Sequence, residues 1–292
     1  ARFCPSCGQP VVAGTITSAT PAGPQAYTPD YLAERILNSR ASLEGERKQV
    51  TVLFADLRSS MELLAGRDPE EARGLLDPVL ERMMGAVHHY EGTVNQVLGD
   101  GIMALFGAPL AHEDHALRAC YAAIHMQASV RHHVEQTAGG LSAPFRIRVG
   151  LNSGQVVVRT IGNDLHMDYS AVGQTTHLAA RMEQQAEPGT TLLAGSTARL
   201  VEGYVALKPL GLTAVKGLTQ PIETYELLGP GPARSRFQVA QARGLTRFVG
   251  RDAELAELGR GAERARASHG QIVAIVGEPG VGKSRLFWEF TH

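Results

Sequence analysis

The spacing of apolar and polar residues along the chain changes several times, and each change predicts an element. "QVTVLFAD" (49–56) is an almost unbroken apolar run and predicts a buried strand. "PEEARGLLDPVLERMMGAVHHY" has helical spacing, with acidic residues in its first turn. "GTVNQVLG" alternates like a strand, and "GIMALFG" follows as its hairpin partner. A long helix from about Glu113 to Glu135 comes next. After it the pattern predicts a strand "FRIRVGLNSG", a strand "QVVVRTIG" and a helix "GQTTHLAARMEQQA". Further strands are predicted near "TLLAG", "GYVALKPLG" and "PIETYELL". This is an α/β (α+β) pattern with hairpins mixed in, which favours a ferredoxin-like sheet over a doubly wound one.

Outside this stretch the periodicity lapses. Residues 1–9 hold Cys4 and Cys7 in a C-x-x-C knuckle followed by Gly8, the turn chemistry of half a tetrahedral zinc site. No second pair of ligands lies within reach, so the knuckle reads either as a zinc-ribbon fragment or as spare thiols. No βαβ pattern surrounds it, which argues against redox chemistry. Residues 10–30, rich in Pro, Gly, Ala and Thr, read as linker. Leu32, Ile36 and Leu43 give the stretch 31–48 a narrow helical stripe too short for a coiled coil. The domain reading is therefore 1–9 zinc-ribbon fragment, 10–47 linker and short helix, 48–228 principal domain, 229–246 linker and 247–292 the start of a P-loop domain.

The last assignment rests on "QIVAIVGEPGVGKSRLFWEF", an apolar strand expected to run into a glycine-rich loop and a helix. Gly277, Gly280, Gly282, Lys283 and Ser284 complete G-x-x-x-x-G-K-S, whose backbone N–H groups can cradle phosphate. No Walker B carboxylate follows before His292, so the segment is not expected to be a competent ATPase by itself.

Composition narrows the classes. The 292 residues allow about two domains, with 43% hydrophobic and 20% charged residues typical of a globular protein. No apolar run approaches the roughly 18 residues of a membrane-spanning helix. A formal charge of −1 and scattered basic residues give no field for nucleic acid. Three cysteines make no disulfide framework and no signal-peptide pattern opens the chain, so a cytoplasmic location is expected.

Two carboxylates carry the candidate chemistry. Asp56 ends the first strand and Asp100 ends "GTVNQVLG", with one helix between. A helix of that length permits a crossover, so the two strands are expected to be parallel, with both carboxyls at one edge of the sheet. There they could hold a divalent cation, and the small polar turn "LRSS" after Asp56 could face phosphate. Spacing alone leaves the alternative equally open: Asp-Gly is a favoured hairpin turn, and strands often end in Asp for solvation. "AHEDHA" fails as H-E-x-x-H because Ala116 stands where histidine is needed. His88, His89, His132 and His133 read as solvated helix residues.

"VTVLFADLRSSMELL", "NQVLGDGIMALFG", "RIRVGLNSG", "YSAVGQTTHLAARME" and "AVKGLTQPIETYEL" together resemble the class III nucleotidyl cyclases. The order of zinc ribbon, cyclase and P-loop ATPase resembles bacterial cyclase–ATPase proteins. The resemblance implies a homodimer with two sites across its interface. Asp56, Asp100 and the backbone carbonyl of Leu57 would bind two Mg²⁺ or Mn²⁺ ions per site. Arg181 would stabilise the transition state, and Arg148 and Lys216 would contact the triphosphate. Three positions depart from the adenine-reading pattern: Gln96 replaces lysine, Ser170 replaces aspartate or threonine, and His177 replaces the ribose-orienting asparagine. A glutamine carboxamide can pair with adenine or, flipped, with guanine. The resemblance thus implies an adenylyl cyclase using ATP, with GTP as the alternative base. A second nucleotide would bind at the P-loop. A degenerate domain that binds nucleotide or dimerises without turnover is the competing expectation.

Overall fold

The computed structural model describes residues 29, 47–58, 68–137, 145–157, 174–215, 220–233, 235–278 and 280–292. Cys4, Cys7, the 10–30 linker apart from residue 29, most of the 31–48 stretch, the "SS" of the polar turn, Ser170 and Lys216 lie outside the described residues. The chain divides into two units, residues 1–230 and 231–292.

In the first unit the elements run β1 (Arg47–Arg58), α1 (Pro69–His89), β2 (Thr93–Leu98), β3 (Gly101–Phe106), α2 (His115–Thr137), β4 (Arg146–Val157), α3 (Gln174–Gln185), β5 (Thr191–Ala194), α4 (Gly195–Val201), β6 (Val205–Thr213) and β7 (Ile222–Pro230). They form one seven-stranded sheet in the order β2-β3-β1-β4-β5-β7-β6. β3 lies between β1 and β2 and runs antiparallel to both, so β1 and β2 are parallel, as expected, with one strand interposed. The first four strands with α1 and α2 make the split βαβ arrangement of a ferredoxin-like sheet.

Helix α1 starts where its chemistry dictates. Asp68 caps it by accepting from the Glu70 backbone N–H, Pro69 opens the first turn, and Glu70 and Glu71 face the positive end of the helix dipole. α1 and α2 cover one face of the sheet, packing on Leu53, Ala55, Leu57, Ile102, Phe106 and Leu151. On the opposite face, Ala179 of α3 packs with Val50, Val52, Leu105 and Val156.

"FRIRVGLNSG" and "QVVVRTIG" are not two strands. β4 runs through the polar "NSG", because all twelve of its residues pair with β1, from Arg47 opposite Val157 to Arg58 opposite Arg146. The polar residues that suggest a turn are absorbed by buried partners. Ser153 Oγ lies 2.7 Å from Thr51 Oγ1 and 3.0 Å from Thr197 Oγ1, and Thr51 Oγ1 lies 2.7 Å from His115 Nδ1. Asn152 donates to the Thr175 carbonyl and accepts from Ser196. Buried polar groups satisfied in this way incur little of the desolvation penalty that would otherwise end the strand.

The second unit contains α5 (Arg236–Ala242), α6 (Asp252–Arg266) and α7 (Lys283–Thr291). The strand expected before the glycine-rich loop is not formed: residues 271–277 have no strand pairing, with Ile272 and Val276 almost fully exposed. A strand of that kind needs neighbours in a sheet, and this unit has no other strand among the described residues. The loop-to-helix junction does form. α7 begins directly after Gly282, and Lys283 Nζ donates to the carbonyls of Gly277 and Glu278, each at 2.8 Å. Among the described residues no helix is long and apolar enough to cross a membrane.

His88 departs from the solvated reading. It shares the face of α1 that carries Leu80 and Met84 and is 7% exposed. Burial lowers its pKa from 6.5 to about 4. Between those values the unfolded chain takes up a proton that the folded chain refuses, so stability is full above pH 6.5 and declines as pH falls through the window. His88→Gln is expected to remove roughly 1–2 kcal/mol of the stability difference between pH 7 and pH 5, allowing for partial solvent screening. Urea unfolding at the two pH values checks this, and an unchanged difference would contradict it.

Candidate active site

Strand register assembles the site. Asp56 is paired with Gly101 of β3 on one side and with Arg148 of β4 on the other. Asp100 occupies the β2–β3 turn, next to Gly101, so both carboxyls reach the same edge of the sheet. A Cβ at Gly101 would come within 2.7 Å of the Ala55 carbonyl and 3.1 Å of Asp56 Oδ1, so the absence of a side chain there keeps the space beside Asp56 open.

The electrostatics are crowded. Burial pushes the Asp56 carboxyl above the usual carboxylate range, Arg148 opposes that rise, and the nearby Asp100 charge adds to it. Arg148 Nη2 donates to Asp56 Oδ2 at 2.8 Å and lies 2.7 Å from Glu183 Oε1. Burial, with the Asp56 and Asp100 charges, raises Glu183 to about 7 against the pull of Arg148. Asp56 and Glu183 therefore share one guanidinium, with the Asp100 charge close to both carboxyls. A pair of hard oxygen donors with surplus negative charge suits Mg²⁺ or Mn²⁺. Asp56 and Asp100 fit such an ion, although no group of three or more His, Cys, Asp or Glu residues is assembled to hold a metal among the described residues. The Leu57 side chain is buried in the core, so only its backbone is left to serve the site.

α3 carries the remaining candidates. A Cβ at Gly150 of β4 would lie 2.1 Å from the Glu183 nitrogen and 2.3 Å from the Ala179 carbonyl, so the helix rests directly on the strand backbone. That contact fixes the helix rotation. Thr175, Ala179, Met182 and Glu183 face inward. His177 and Arg181, one helical turn apart, are about 200° from Ala179 and Glu183 respectively and so face away from the sheet. Arg181 Nη1 donates to Gln184 Oε1 at 2.6 Å. The carboxylates and Arg181 of the chain are thus presented on different sides.

Gln96 reaches the open face through an irregularity. The β2 register shifts between Val94 and Gln96, so Gln96 stands opposite Met103, which faces the α3 side of the sheet with Phe54 and Asp56. Asn95 fills the bulge and is 4% exposed, with its Nδ2 3.9 Å from Met103 Sδ. Without the bulge, Gln96 would point into the core.

Sequence reasoning missed Glu183 and Asn95. Glu183 lies one turn beyond Ala179, so the helical period alone could have placed it inward. Nothing in "TVNQVL" signals the bulge. Of the predicted residues, the fold brings together Asp56, Asp100 and Arg148; Gln96 shares their sheet face, and His177 and Arg181 point elsewhere. The glycine-rich residues 277–284, expected to form a P-loop, belong to the second unit.

The family model described as "Adenylate and Guanylate cyclase catalytic domain" matches residues 44–229, and the chain belongs to this family. It is 32% identical over 186 residues to Adenylate cyclase 1 of Rhizobium meliloti, which covers 63% of this chain but only 28% of that protein. Among solved structures it resembles the adenylyl cyclase CyaB from P. aeruginosa (31% identity, TM-score 0.59, 66% of this chain and 98% of that chain). The guanylyl cyclase Cya2 is equally similar (31% identity, TM-score 0.59, 65% of this chain and 96% of that chain).

The seat of α3 on Gly150 is directly testable. Gly150→Ala forces a methyl into backbone atoms and is expected to destabilise the domain by about 2 kcal/mol or more. Urea denaturation reads the loss; wild-type stability would contradict so close a contact.

Proposed function

We propose that the domain is an active adenylyl cyclase that converts ATP to 3′,5′-cyclic AMP and pyrophosphate, working as a homodimer. The observation that carries this reading is the convergence of Asp56, Asp100 and Arg148 at one sheet edge while Arg181 faces away from them. A second copy, presenting its own Arg181 to these carboxylates, would complete each of two equivalent sites.

In this reading the ribose 3′-oxygen attacks the α-phosphorus, the bond from the α-phosphorus to the bridging oxygen breaks, pyrophosphate leaves, and the 3′-hydroxyl proton passes to solvent. Two divalent cations held by Asp56 and Asp100, with the Leu57 carbonyl, would lower the 3′-hydroxyl pKa and offset the triphosphate charge. Arg181 meets charge developing on the α-phosphoryl oxygens. Arg148 and Lys216 hold the triphosphate, and His177 hydrogen-bonds the ribose so that the 3′-oxygen stays in line. Gln96 and Ser170 read the base.

Gln96 also favours a second reading. Its carboxamide is exposed on the open face and can serve guanine when flipped, and the chain resembles an adenylyl and a guanylyl cyclase equally well. We propose further that the P-loop residues of the second unit bind a second nucleotide and regulate the cyclase, that Cys4 and Cys7 contribute to a zinc site, and that the protein works in the cytoplasm.

The purified chain incubated with Mn²⁺ and ATP or GTP separately, with products resolved by mass, tests the reading. Cyclic AMP is expected, falling about 100-fold or more in Arg181→Ala. Cyclic GMP alone would favour the second reading, and no product from a dimer that binds nucleotide would overturn both in favour of a non-catalytic binding domain.

A further inference from the structure

Arg148 is held unequally by its two carboxylates. Its Nη2 makes an aligned hydrogen bond to Asp56, whereas the 2.7 Å approach to Glu183 Oε1 is an off-axis charge contact. Two buried atoms consequently lack hydrogen-bond partners: Nε of Arg148 and Oε1 of Glu183. They belong to side chains already in contact, and the cost of leaving such groups unpaired favours any rearrangement that joins them. Glu183 cannot retreat, because its backbone is pressed against Gly150. Its 7% exposure leaves solvent little access to replace the missing donor.

We propose that Glu183 is a positioning residue that provides Arg148 with a second seat, so that the guanidinium can leave Asp56 when that carboxylate takes a cation. Turning toward Glu183, the guanidinium aligns a donor on Oε1, releases Asp56 and stays at the sheet edge beside the site. Without the Glu183 charge, Asp56 is the remaining anionic partner at hydrogen-bond distance, and Arg148 can close on it as a bidentate pair that a cation must break. Glu183 and the outward-facing Arg181 lie two residues apart on α3, so the seat is fixed to the same rigid helix.

The inference rests on reading Asp56 and Asp100 as cation ligands, and a double-mutant cycle on Mn²⁺ binding separates the two claims. Free Mn²⁺ is followed by electron paramagnetic resonance in titrations of the full chain without nucleotide. Glu183→Gln is expected to weaken Mn²⁺ binding about fivefold or more, and Arg148→Met to leave it equal or tighter. In the Arg148→Met background the Glu183→Gln change is expected to have less than about a twofold effect. An equal loss in both backgrounds would mean that Glu183 acts by bulk charge or by supporting the fold, and it would overturn the proposal. So would unchanged binding in Glu183→Gln. Mn²⁺ binding that is absent from the unaltered chain, or insensitive to Asp100→Asn, would instead bring down the cation reading and the inference with it.

Discussion

Asp56 stands between Gly101 and Arg148 because β1 pairs antiparallel with a different strand on each side, and the chemistry of the domain depends on this register. A shift of one residue would turn the carboxylate to the face covered by α1 and α2, where Ala55 and Leu57 are buried. The hairpin turn at Asp100 adds a second negative group to the same edge, and Arg148, in contact with both Asp56 and Glu183, opposes the negative charge there.

The face that Asp56 shares with α3 obeys a second constraint. α3 lies against bare backbone at Gly150, which fixes which of its residues see the sheet. Glu183 is directed inward to Arg148, and His177 and Arg181 are directed away. A helix so tightly seated cannot rotate to bring both sets to one place without displacing β4. This packing is the reason for proposing that a site is completed by a second copy.

Much of this was legible in the sequence. The parallel course of the strands ending in Asp56 and Asp100 follows from one intervening helix of crossover length, and the alternation in "GTVNQVLG" followed by the apolar "GIMALFG" marks the hairpin. Most of the failures share one cause: residues whose polarity suggests solvent are buried by partners distant in sequence. Asn152 and Ser153 look like a turn but are satisfied by Ser196, Thr175, Thr51 and Thr197, so β4 continues through them. His88 looks solvated but shares a helix face with core residues. Residues 271–277 err the other way, since apolar residues alone do not make a strand without a neighbouring strand to pair with.

The central claim is that each site takes its carboxylates from one copy and its arginine from the other. Mixing two individually inactive chains, Asp100→Asn and Arg181→Ala, measures this most directly. In mixed dimers one site carries both substitutions and the other carries neither. Restored cyclic nucleotide synthesis at roughly a quarter of the unaltered rate is the predicted result for random pairing. A mixture as inactive as its components, with subunit exchange verified, would contradict the account.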